Sequence, residues 1–151
     1  MKKIMHWILT GWIIALGTGC SGFHRAWRQE VTTNPGYPPS MIEGAWEGEW
    51  ISDSNGHHGR LRCLLTENED GTYTTWYHAK YLKFLGFAYA VEVNSNPSDK
   101  GYSLSGQADL GKLAGGMYHY EGTISDGHFK ATYESKYDDG TFRMTRPLTD
   151  P

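Results

Sequence analysis

Four kinds of side chain in this sequence are able to do chemistry: two cysteines, seven histidines, a scatter of acids and ten tyrosines. His57 and His58 adjoin in a Gly-flanked stretch, while His78 and His119 fall on the polar parity of alternating segments. A metal needs convergent ligands at fixed spacing, so these histidines are expected to be solvated, with no metal site and no cofactor. Catalysis would need a nucleophile beside a base, or paired carboxylates in a cleft. Glu67, Glu69, Asp70, Asp126, Asp138 and Asp139 instead stand among turn-forming residues, where acids serve local hydrogen bonding. Gly-x-Ser-x-Gly, phosphate-loop and zinc-hydrolase motifs are absent from the sequence, so the expectation is a protein that is not an enzyme, with no catalytic residues. The tyrosines carry what chemistry remains, each a large apolar ring with a hydroxyl that needs a partner when buried. Tyr77, Tyr89, Tyr118 and Tyr133 are the candidates for stacking on a small ligand.

Positioning these rings falls to short segments that alternate with period two, the spacing at which side chains share one face of a strand. Eight strand candidates follow one another: Ala45–Ser52, Arg60–Thr66, Thr72–Tyr81, Leu85–Asn94, Tyr102–Asp109, Met117–Ser125, His128–Ser135 and Thr141–Arg146. Asp70-Gly71, Asp126-Gly127 and Asp139-Gly140 supply the positive φ that tight hairpins need. Short connections make consecutive strands neighbours, and eight strands is a number at which a sheet closes and loses its edges. The expected fold is all-β, an eight-stranded antiparallel up-and-down barrel, with an open sandwich as the alternative. Its inward parity is rich in rings, which predicts a largely filled interior, while Gly48, Gly106, Gly122 and Ala131 leave local space. Cys63 alternates with Leu61 and Leu65 and reads as a small buried thiol.

Gly44-x-Trp46 on the first strand and Arg146 at the end of the last resemble the signature of lipocalins and their calycin relatives. The resemblance implies that Trp46 packs at the closed end of the barrel with a guanidinium lying across it, a stacked arrangement that leaves the guanidinium free to donate to carbonyls. Arg143 and Trp50 are the alternative partner and ring. The domain is shorter than a typical lipocalin, and no helix is expected beside the barrel.

Upstream, Lys2-Lys3 precede a mostly apolar run from Ile4 to Leu16, followed by Gly17-Thr18-Gly19-Cys20. The run is short of the ~20 residues of a spanning helix and reads as a secretory signal. Small residues before a cysteine resemble the bacterial lipobox, although Gly17 stands where Leu, Val or Ile is usual. The resemblance implies that Cys20 is diacylated and becomes the mature N-terminus. The expected division is therefore a lipoprotein signal over 1–19, a lipidated Pro-containing tether over 20–42 and a barrel domain over 43–148. Phe23, Trp27 and Val31 mark at most a short helical turn and a half in the tether, which would reach roughly 65–75 Å if extended.

The 14 basic and 17 acidic residues give a net charge of −3, and losing Lys2 and Lys3 makes the remainder more acidic. No basic patch suggests nucleic acid. Gly56–Cys63, with Arg60 and Arg62 expected to pair outward with Glu47 and Glu49, and the Gly-rich Leu110–Gly116 resemble stretches of uncharacterised bacterial envelope lipoproteins. The functional expectation is a lipid-anchored barrel at the cell envelope, by resemblance on the outer membrane, that binds a small hydrophobic or aromatic ligand or an envelope component. The alternative is a packed barrel serving as a structural or protein-interaction module.

Overall fold

Eight strands hold the sequence pattern: β1 (Gly44–Ser52), β2 (His58–Glu67), β3 (Tyr73–Tyr81), β4 (Leu85–Ser98), β5 (Gly101–Asp109), β6 (Met117–Ser125), β7 (His128–Glu134) and β8 (Asp139–Thr145). The structure is a computed structural model and describes residues 20–34, 40–82 and 85–148. Each strand pairs antiparallel with the next and β8 returns to β1, so the sheet is a closed up-and-down barrel. The expected signal over 1–19 and the prolines of 35–39 lie outside the described residues.

Most strand ends fall within two residues of expectation, and two of the departures have a local reason. β4 runs past Asn94 and includes Pro97. Its ladder to β3 ends at Tyr73↔Val93, whereas its ladder to β5 runs from Val93↔Gly106 to Ser98↔Gly101. Beyond Val93 one side of β4 has no neighbour, and there a missing N–H costs no ladder bond. Asp139-Gly140, expected as a turn, lies inside β8 and pairs with Glu134 and Tyr133. The turn is made one step earlier, where Ser135 Oγ accepts from the backbone N–H groups of Tyr137 and Asp138. The same pair of ladders leaves Leu85–Glu92 hydrogen-bonded to β3 alone among the described strands.

Residues 20–33, expected as part of an unpacked tether, are helical and lie on the outside of the barrel. Phe23 and Trp27 are buried against Ala45, Leu64, Trp76 and Ala88, one outward residue from each of the first four strands. Arg62 places its guanidinium 4.7 Å from the centroid of the Trp27 ring. His78, expected on the surface, is buried here under Phe23, whose ring stacks on it at 5.2 Å. Among the described residues no helix is long and apolar enough to cross a membrane.

Candidate functional site

The two ends of the barrel are built differently. At one end Trp46 is fully buried and its indole N–H donates to the Ile42 carbonyl at 2.9 Å. The Arg146 guanidinium lies 3.7 Å over that ring and donates to the carbonyls of Ser40, Met41, Glu43 and Ala45. Gly44, with φ of 98°, turns the chain between those carbonyls. Phe129 meets Trp46 edge-on at 5.7 Å, and Leu61, Cys63, Leu65 and Val91 fill the space above. Burial pushes the Cys63 thiol well above its ordinary range. This end is solid.

The opposite end is hollow. A cavity of about 350 Å³ opens between the β1–β2, β3–β4, β5–β6 and β7–β8 connections, a volume at the small end of ligand pockets. Tyr89, Tyr118 and Tyr133 line it, together with Trp50, Tyr81, Phe87, Tyr120 and Phe142. Tyr77 is not part of that wall. It lies beneath, fully enclosed, its ring 5.3 Å from both Tyr89 and Phe142. Three of the four tyrosines proposed from sequence therefore face the cavity and the fourth supports its floor. Burial raises the phenols of Tyr77, Tyr89, Tyr120 and Tyr133, with the Asp138 carboxylate adding to the rise at Tyr133. The wall thus presents neutral hydroxyls on apolar rings.

Trp50 is held by a contact that its strand partner makes possible. Its indole N–H donates to the Lys80 carbonyl at 2.9 Å, reaching past β2 to β3. A Cβ on the intervening Gly59 would meet the indole nitrogen at 2.7 Å and the Lys80 oxygen at 1.9 Å, so only glycine lets the bond form. Trp50 then stacks on Tyr81 at 5.9 Å, and the Tyr81 hydroxyl meets His57 Nδ1 at 2.7 Å.

Asp138 was legible only as a turn residue, yet it supplies polar atoms to the cavity. Its carboxylate accepts from the Ser52 hydroxyl at 2.6 Å and from the Tyr133 hydroxyl at 3.3 Å. The Gly-rich stretch after β5 also contributes, with Leu110 and Ala114 in the wall and a single 3₁₀ turn, Lys112–Ala114, at the rim. Arg60 and Arg62 both reach Glu47, at 3.0 and 3.3 Å, on the outer face. Cys20 sits at the start of the described helix, its thiol 3.7 Å from the carbonyl oxygen of Gly86. Among the described residues no group of three or more His, Cys, Asp or Glu is placed to hold a metal. Comparisons with family models, curated proteins and solved structures find no match to the chain.

Proposed function

We propose that this chain is an exported, lipid-anchored barrel that binds a small apolar or aromatic ligand at its open end without chemical transformation. One observation carries the reading: the barrel is filled around Trp46 and hollow around Tyr118, with a cavity of about 350 Å³ walled by rings. Such a wall suits stacking and apolar contact, while Asp138 and the tyrosine hydroxyls offer a few orienting hydrogen bonds. The polar groups in the wall already engage one another, Asp138 with Ser52 and Tyr133 and His57 with Tyr81, which supports binding over catalysis. The Trp46–Arg146 closure supports a lipocalin-like reading of the architecture. Anchoring rests on Cys20 and the residues before it.

Native mass spectrometry of the protein taken from its own envelope tests the binding. Bound mass is expected on the wild-type chain and absent from Ala114→Trp, which fills the mouth from an exposed position. A chain that is empty in both forms, and gains no thermal stability from envelope lipid extract, overturns the reading. The packed half of the barrel favours a second reading, an interaction module, under which Ala114→Trp changes nothing but a partner's cross-linking yield.

A further inference from the structure

Three features meet at one sector of the barrel mouth. The first is the anchor point. Gly86 pairs with Lys80, one rung below Tyr81↔Leu85 at the end of the β3–β4 ladder, and the Cys20 thiol touches the Gly86 carbonyl. A lipid on Cys20 would leave the protein at the rim of the cavity. Because Phe23 and Trp27 hold the helix against the barrel, little slack remains for the domain to stand away from its anchor.

The second feature is the rim itself. Leu82, Leu85 and Phe87 on the β3–β4 side are 59, 55 and 45% exposed, and Leu113 and Met117 after β5 are 102 and 45% exposed. Exposed apolar groups gathered at one place mark an interaction surface. Lys80 and Lys112 accompany them with one acid, Asp109, whereas Asp53, Asp138 and Asp139 outnumber Lys136 on the other two connections of the mouth. One half of the rim is thus apolar with a slight excess of basic charge, which suits an anionic bilayer surface. The third feature is the β4 edge, unpaired from Leu85 to Glu92 on its β5 side. The cavity wall on that side is Phe87 and Tyr89 from β4 and Leu110 and Ala114 from the loop.

Resting on the anchored-barrel reading above, we propose that the mouth is seated on the phospholipid bilayer. Leu82, Leu85 and Phe87 on the β3–β4 side and the β5–β6 loop enter the headgroup region, and the cavity exchanges a single apolar chain or ring with the membrane rather than with water. The acidic half of the rim stays in solvent. The unpaired β4 edge gives the side on which the ligand passes.

The test uses the full chain, processed in cells and reconstituted into vesicles of phosphatidylethanolamine and phosphatidylglycerol. Leu85→Cys, Leu113→Cys and Glu69→Cys each carry an environment-sensitive fluorophore, and Cys63, 0% exposed, takes no label in the folded barrel. Labels at 85 and 113 are expected to shift to shorter wavelength and to be quenched several-fold more by doxyl-labelled lipid than the label at 69, which stands at the closed end. Equal quenching of all three by aqueous iodide, with no response to doxyl lipid, overturns the proposal. Protection of 113 in native envelopes but not in vesicles also overturns it, and assigns the rim to a protein. The same samples are titrated with N-phenyl-1-naphthylamine in wild type and Ala114→Trp. A probe site lost in Ala114→Trp beside fully aqueous 85 and 113 keeps the binding cavity and removes the membrane seat. Lipid-quenched labels with no probe site do the reverse.

Discussion

Arg146 holds four backbone carbonyls and an indole face at once. Burial lowers its pKa to about 10, so the guanidinium stays charged at neutral pH and its hydrogen bonds are charge-assisted, stronger than neutral ones. Lysine keeps the charge but loses the planar fork and the stacking. Arg146→Lys is expected to cost about 2 kcal/mol, read as a lower urea midpoint at unchanged slope, whereas the exposed Arg143→Lys leaves the midpoint in place. Gly48 is constrained by backbone rather than by rings. A Cβ there would fall 1.9 Å from the Arg143 carbonyl oxygen, so Gly48→Ala must push β1 from β8, at about 3 kcal/mol in the same titration. The Trp46–Arg146 pair was named through the resemblance of Gly44-x-Trp46 and a last-strand Arg to the lipocalin signature, with Trp50 and Arg143 as the alternatives that spacing alone left open. The carbonyls were not, since three of the four, Ser40, Met41 and Glu43, belong to the approach into β1, whose path no periodicity encodes. Asp138 was hidden for a related reason: a hairpin acid looks solvated until the closure of β8 on β1 brings Ser52 to it.

The helix over 20–33 shows the same limit one level up. Phe23, Trp27 and Val31 recur every four residues, a visible apolar stripe. Its acceptor is assembled only by the sheet, from Ala45, Leu64, Trp76 and Ala88 on four different strands. The strands themselves were plain in the alternation, and the misplaced ends were those set by a vanishing neighbour, as at Pro97, or by side-chain bonding in a turn, as at Ser135. Phe23→Ala with Trp27→Ala removes the two anchors, a truncation worth about 3–5 kcal/mol each where burial is complete. The expected result is rapid proteolysis between residues 20 and 43 with the barrel left intact. Docking should also depend on pH. Burial first, then the neighbouring His24, Lys80 and Arg62, lowers the pKa of His78 from 6.5 to about 4. Between those values the undocked state binds a proton that the docked state does not, so docking is strongest above pH 6.5 and weakens as pH falls toward 4. Protease cleavage near the helix should therefore quicken at pH 5 relative to pH 7, and His78→Leu should remove most of that difference.

Across the whole molecule, packing is graded along the barrel axis, and stability should be graded with it. Around Trp46 the interior is solid and Arg146 ties the start of β1 to the end of β8, while toward the mouth the cavity interrupts the core and Leu85–Glu92 pair with β3 alone. Regions with fewer buried contacts and fewer backbone bonds open without the rest. Hydrogen exchange followed by mass spectrometry should show peptides from 85–92 and 110–117 exchanging through local opening, ahead of peptides from β1 and β2. Cys63 supplies the internal reference. It is buried at 0% exposure among Leu61, Leu65 and Trp46, and its thiol is held protonated by burial, so a thiol reagent reaches it only when the solid end opens. The rate of Cys63 labelling should match exchange of the slowest β1 and β2 amides and fall well below exchange at 85–92. An apolar ligand in the cavity should slow exchange at 85–92 and 110–117 strongly and Cys63 labelling only by its contribution to global stability. Equal slowing at both sites would mean that the barrel opens as one unit, and that the hollow end is no more adaptable than the sealed one.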